Sequence, residues 1–249
     1  MMSDNADHRG GDEQRILVWD FPVRFFHLAF AASFLGAFAI GQWADDHGSL
    51  FPVHMLLGGT MVLMVLLRVV WGFVGPRYAR FSSFVFGPAE VFSYLRSTMT
   101  GGGKRYTGHN PGSSLAIFAL LALALGLGVT GAFMAQGGDL MEELHEILAY
   151  AMVAVVGVHV AGVLWHTIRH RENLPLSMID GHKAGKPDGG IRTAHPMLGV
   201  LFVALTSLWA YGLARGYNPA TNQVTIPILG QTLQLGEDGG HRSRHDDDD

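Results

Sequence analysis

The chain has 249 residues, 49% of them hydrophobic and only 15% charged, against roughly 25% charged in a soluble domain, which is a membrane profile. It contains no cysteine, and this excludes disulfides, iron–sulfur clusters and covalent C-x-x-C-H haem attachment. The net charge of −4 traces largely to two acidic tails, and no basic patch with interleaved aromatics suggests nucleic acid. Metal chemistry therefore falls to nitrogen or oxygen ligands, with thirteen histidines as the natural supply.

Residues 1–14 are polar and Asp-rich, lack the basic start and cleavage site of a signal peptide, and read as a disordered cytoplasmic tail. The first apolar run is Phe21–Gly41, entered through Trp19 and Pro22 and left through Trp43. The second, Phe51–Gly75, follows a loop short enough to force an antiparallel return; its titratable groups are His54 near the start and Arg68 near the end. A polar, Gly-rich connection, Pro76–Ser113, is expected to hold a short interfacial helix over Phe84–Thr98. The third run, Ser114–Ala135, has no histidine and no charge and reads as a packing span. An acidic turn, Gly137–Glu143, leads to the fourth, Met141–Glu172. After a polar segment, Arg169–Ala194, a fifth run, Pro196–Ala214, ends in the tail Arg215–Asp249. Within that tail Gln223–Leu235 alternates as a small hairpin around Gly230, and His241 and His245 among aspartates read as solvated.

Orientation follows from Lys and Arg. Fourteen of the seventeen fall in the N-terminal segment, the second-to-third connection and the fourth-to-fifth connection, while the loops Gln42–Leu50 and Gln136–Leu140 carry none. The N-terminus is thus expected in the cytoplasm and the C-terminal tail outside. All five Trp residues lie close to predicted span ends, as an aromatic belt requires.

This orientation assigns depths to the histidines. His145 and His159 stand fourteen residues apart on the fourth span, four turns of a helix in a left-handed bundle, so they share a face with about 21 Å between them. His27 lies one to two turns in from the cytoplasmic side of the first span, and His159 about two and a half turns in on the fourth; they share a level. His54 and His145 begin their spans at the outer face and share the other. A histidine near a span end also has an ordinary use, bonding a carbonyl or reaching headgroups, whereas ionisable groups deeper inside usually mark a function. The pairing by depth favours metal or haem. Two axial imidazoles per iron leave no open position, which suits electron transfer.

Gly36, Gly58, Gly59, Gly157 and Gly162 would admit a flat ring, or simply close helix packing. Arg24 and Arg68 are placed to pair with haem propionates or a quinone oxygen, or to snorkel to the headgroups. His166 is read as interfacial, with a quinone or proton route and substitute ligation as its alternatives.

Four motifs carry a family resemblance: W-D-x-P-x-R-x-x-H (Trp19 to His27), H-x3-G-x9-R (His54, Gly58, Arg68), H-x13-H (His145, His159) and E-N-L-x3-M-x2-G (Glu172 to Gly181). Together, over about residues 17–182, they resemble the prokaryotic cytochrome b561 family, which includes the b-type cytochrome subunits of Ni,Fe-hydrogenases. The resemblance implies a four-helix core with two bis-histidine haems b, His27 with His159 on the cytoplasmic side and His54 with His145 on the outer side. Leu28, where an aromatic is common in relatives, and Pro175 within the last motif depart from it.

The resulting expectation is an all-α integral membrane protein, a four-helix haem-binding bundle plus a fifth C-terminal transmembrane helix. It divides into a tail (1–14), a four-span dihaem domain (15–182), a linker with the fifth span (183–215) and an outer-face tail (216–249). Its expected work, in a bacterial inner membrane, is electron transfer between the quinone pool and a periplasmic redox protein or enzyme subunit. The metal ligands are His27, His54, His145 and His159, with Arg24 and Arg68 beside the cofactor. The alternatives are a haem-containing membrane anchor for a periplasmic enzyme and a histidine-relay proton or solute transporter.

Overall fold

The computed structural model describes residues 14–44, 50–100 and 105–234. The expected disordered tail, apart from Gln14, and the tail histidines His241 and His245 lie outside them. In chain order the elements are β1 (Gln14–Leu17), α1 (Phe21–Trp43), α2 (Phe51–Val74) and α3 (Pro88–Met99). Helical bonding then runs Pro111–His170, broken at Gly138 by φ 54° and ψ −151°, and its two apolar legs are α4 (Pro111–Met134) and α5 (Gly138–His170). α6 (Leu174–Asp180), β2 (His182–Gly185), α7 (Pro196–Gly216), β3 (Tyr217–Asn218), β4 (Gln223–Thr225) and β5 (Thr232–Gln234) complete the series.

Five helices, α1, α2, α4, α5 and α7, are long and apolar enough to cross a membrane. Large apolar side chains such as Leu35, Phe73, Val158 and Ile168 are exposed on them, which suits a lipid solvent and would be costly in water. The protein is an all-α multi-pass membrane chain with short strands at its polar ends.

Sequence-encoded stops and starts set the helix bounds. Asp20 caps α1, its Oδ1 accepting from the Val23 amide at 2.8 Å, and its Oδ2 accepts from Trp71 Nε1 at 3.1 Å. Asn110 and Ser113 form a reciprocal capping box with Pro111 at the first helical position. α4 thus begins three residues before the expected Ser114. The interfacial helix starts at Pro88 rather than Phe84, because proline suits a first turn and breaks an interior. The expected acidic turn Gly137–Glu143 contracts to the single left-handed residue Gly138, since the following acidic residues are good helix formers. His145 therefore sits two turns inside α5 rather than at its start.

The chain forms two compact units interleaved in sequence: Met1–Ala29, Val65–Ala122 and Met152–Val203 in the first; Phe30–Met64, Leu123–Ala151 and Ala204–Asp249 in the second. In the first, β1 pairs antiparallel with β2 from Gln14↔Gly185 to Leu17↔His182. That pairing had no signature in the sequence, since neither strand alternates. Val23, Trp71, Ala79 and Phe202 form one core cluster, and Ile16, Val18, Trp19 and Tyr78 another. Asn173 caps α6 by accepting from the Leu176 amide at 3.0 Å, which puts Pro175 in the first turn, where its missing N–H costs nothing. The helix ends on Gly181 at φ 85°, whose carbonyl accepts from the Val18 and Trp19 amides at 2.8 and 3.0 Å. A Cβ there would lie 2.8 Å from the Trp19 carbonyl oxygen. Gly181→Ala is accordingly expected to destabilise the protein by about 1–3 kcal/mol, read as a lowered Tm.

In the second unit β3, β4 and β5 form an antiparallel sheet in that order. The predicted hairpin is its β4–β5 part, turning through Gly230 at φ 64°. Leu213 and Val224 are buried against Met55, Leu56 and Trp209. Gly36 faces Leu57 and Gly59 faces Leu213, at 3.3 and 3.1 Å from a would-be Cβ, so these two glycines serve close packing.

Candidate functional site

Each compact unit brings together two of the four expected ligand histidines. In the second, His54 on α2 and His145 on α5 have ring centroids 6.2 Å apart, with an interplanar angle of 65°. His54 Nδ1 lies 2.7 Å from the Ala37 carbonyl; a carbonyl only accepts, so Nδ1 holds the proton and Nε2 keeps its lone pair. His145 Nδ1 lies 2.9 Å from Thr130 Oγ1. That hydroxyl donates to the Gly126 carbonyl at 3.0 Å, so it accepts from Nδ1–H, and the Nε2 of His145 is likewise a free donor. Small residues make room for both rings: a Cβ at Gly41 would lie 3.3 Å from His54 Cε1, and one at Gly131 3.4 Å from His145 Cε1. A centroid spacing of 6.2 Å is compatible with two imidazoles on one metal at about 2.0–2.1 Å each.

In the first unit His27 on α1 and His159 on α5 are near enough to interact electrostatically. Nothing lies within 4 Å of a would-be Cβ at Gly157 or Gly162, which are exposed on α5, and the same is true of Gly58 in the second unit, one turn beyond His54. The packing glycines Gly36 and Gly59 differ in having a neighbour at that position.

The two arginines also belong to the first unit. Arg68 is 3% exposed, its guanidinium lies 5.1 Å from the Phe81 ring centroid, and its Nη1 has no hydrogen-bond partner. Arg24 donates through Nη2 to the Ile179 carbonyl at the end of α6, while its buried Nε has no partner. Buried donors without acceptors are costly, and a carboxylate is the group that satisfies them best. Among the described residues no three His, Cys, Asp or Glu side chains gather for a metal.

Several polar residues of the first unit form a further set of contacts near its polar end. Asp20 is 1% exposed; burial pushes its carboxyl up, opposed by the Val23 and Trp71 hydrogen bonds and by the charges of His195 and Arg68. His166 is paired: its Nε2 lies 3.1 Å from Glu172 Oε2, with side-chain exposures of 13% and 11%. Lys183 approaches Glu172 Oε1 at 3.6 Å and donates to the Tyr106 carbonyl at 3.2 Å. His166 is therefore paired with a carboxylate just beyond the end of α5.

His109 is packed between Trp19 and Phe84, at ring-centroid distances of 4.7 and 4.4 Å, and its Nδ1 has no partner. Burial, with Arg68, Lys183 and His159 nearby, pushes its pKa down to about 3 from 6.5. Between those values the unfolded chain binds a proton that the folded protein refuses, so stability falls on acidification from 6.5 downward, by up to about 1.4 kcal/mol per pH unit. Tm measured against pH should show this loss, and His109→Phe should flatten it.

The prokaryotic cytochrome b561 family matches residues 18–181. A probable Ni/Fe-hydrogenase B-type cytochrome subunit of Rhodobacter capsulatus is 24% identical over 70% of this chain and 83% of its own length. Proteins of the same description from Rhizobium leguminosarum bv. viciae and Azotobacter vinelandii are 22% and 28% identical, over 75% and 70% of this chain and 96% and 90% of theirs. No solved structure matches significantly. With the match running from the residue after β1 to the residue after α6 and enclosing all four paired histidines, the chain belongs to the prokaryotic cytochrome b561 family.

Proposed function

We propose that the protein is a dihaem transmembrane electron carrier linking the quinone pool to a redox partner at the outer face of a bacterial inner membrane. Membership of a b-type cytochrome family makes it a membrane haem protein of electron transfer; the haem number, ligands, orientation and partners are this proposal's own. His54 with His145 would hold one haem b, and His27 with His159 the other. The observation that carries the reading is the tautomer at the first of these pairs. Ala37 and Thr130 fix both Nδ1 protons, so two Nε2 donors are presented at a spacing suited to one metal.

A bound haem b supplies a one-electron iron couple whose potential depends on burial and on hydrogen bonds to its ligands. The protein's own part is to orient four imidazoles, leave open backbone at Gly58, Gly157 and Gly162, and present Arg68 Nη1 to an anionic group such as a propionate. The single helix α5 contributes a histidine to each pair, which makes its register common to both. The excess of Lys and Arg in three connections supports a cytoplasmic N-terminus and a periplasmic C-terminus. The hydrogenase subunits among its relatives favour an enzyme as the outer partner.

Optical redox titration of the purified protein tests the reading, with two bis-imidazole haems b of separate potential expected. A protein without that spectrum refutes it. The second reading, a haem-containing anchor for a periplasmic enzyme, rests on the same relatives; quinol added to the oxidised protein separates the two, since an anchor would stay oxidised.

A further inference from the structure

The C-terminal sheet of the second unit folds back on the membrane helix it follows. The chain leaves α7 at Gly216, runs out through β3 and returns antiparallel through β4. The return path lies along α7 itself. A Cβ at Gly216 would stand 2.5 Å from the Thr225 carbonyl oxygen, and one at Gly212 2.7 Å from Pro227 Cγ. The two glycines are one turn apart, so the turn after β4 lies level with a point about 6 Å inside the end of the helix. α7 is apolar enough to span a bilayer, and that level falls at the boundary between headgroups and acyl chains.

The turn is built for such a place. Ile228 is 97% exposed and Leu229 65%, with Tyr211 of α7 at 62% close to the same level. Residues 216–234 contain no Asp, Glu, Lys or Arg. Backbone polarity in the turn is largely consumed internally: Ile226 N–H donates to the Gln231 carbonyl at 2.7 Å, Leu229 N–H to Pro227 at 2.8 Å and Gly230 N–H to Ile226 at 3.0 Å, and Pro227 has no N–H to satisfy. Ile228 is held at φ 71°, a conformation that β-branched residues avoid. In water the fold would gain nothing from holding a strained isoleucine fully exposed. In lipid the same exposure becomes burial.

We propose that the turn Ile226–Leu229 is a membrane wedge, seated in the leaflet where α7 ends and fixing the three-stranded sheet against the bilayer surface. The occupant of this apolar tip is lipid, argued from its level on a membrane helix and from the absence of charge in residues 216–234, with the exposed Arg215 of α7 nearer the helix end. A soluble partner protein is the competing occupant. The inference does not depend on the haem assignment.

The cysteine-free chain makes the test direct. Ile228→Cys and, at the far β3–β4 turn, Ala220→Cys are each labelled with a nitroxide in the full-length haem-loaded protein, reconstituted into phosphatidylcholine–phosphatidylglycerol vesicles. An unchanged haem spectrum certifies both variants as folded. At position 228 collision with dioxygen is expected to exceed collision with a water-soluble nickel chelate several-fold, with the order reversed at position 220. Equal nickel accessibility at the two positions overturns the proposal and leaves the tip to a soluble partner.

Discussion

His159→Ala should leave the purified protein with about half its haem, and His145→Ala should remove the other half. On the proposed ligation each replacement would delete one of the two imidazoles holding a haem, and a b-type haem would have no covalent bond to retain it. The histidine pairs fall in separate compact units, so the losses should add. A His159→Ala protein would then titrate as a single component, and the double variant would show no haem spectrum. His159→Ala retaining both haems refutes the ligand assignment; loss of both from either single variant refutes the independence of the sites. Thr130→Val offers a finer cut at the second unit. It removes the hydroxyl that accepts the His145 Nδ1 proton while leaving Nε2 in place, so the haem should stay and its potential alone should shift.

The parts of this protein that contact lipid were legible as sequence, because a bilayer permits few solutions. Backbone groups must be satisfied within each span, so five apolar runs became five helices and their ends were set by Trp19, Trp43 and the prolines. The histidine pairs were legible for a related reason: a titratable group inside such a run is rare enough to carry information. The polar ends had no such constraint. The β1–β2 pairing joins residues separated by most of the chain, and neither four-residue strand has a period to read. The histidine-orienting groups were invisible for another reason. Ala37 acts through its carbonyl, and Gly41 and Gly131 act by lacking a side chain. His109 and Lys183 fall in polar connections of the sequence, and only the folded chain shows Lys183 buried and His109 packed between Trp19 and Phe84.

Lys183→Met is expected to be the most destabilising substitution outside the histidine pairs, at about 3–5 kcal/mol. The Lys183 side chain is 3% exposed and that of Glu172 11%, so the lysine charge depends on its protein partners and the carboxylate meets water only at the cavity it lines. Burial pushes the Lys183 ammonium down and Glu172 pulls it back. Glu172 is held below the usual carboxylate range by His166, Lys183 and Arg105 against its own burial. Removing the lysine takes away one of the fixed cations that hold this largely buried carboxylate. Because the folded pKa of Glu172 is depressed, its stabilising contribution is present above its unfolded value of 4.5 and is lost as pH falls through the folded value. The deficit of Lys183→Met should therefore shrink on acidification through that window, as the carboxylate becomes neutral in both proteins. Glu172→Gln combined with Lys183→Met removes both charges and should recover most of the lost Tm, since a buried pair replaced as a unit is close to neutral. A double variant no more stable than Lys183→Met alone would show that the methylene packing of the lysine, rather than its charge, holds this end of the first unit together.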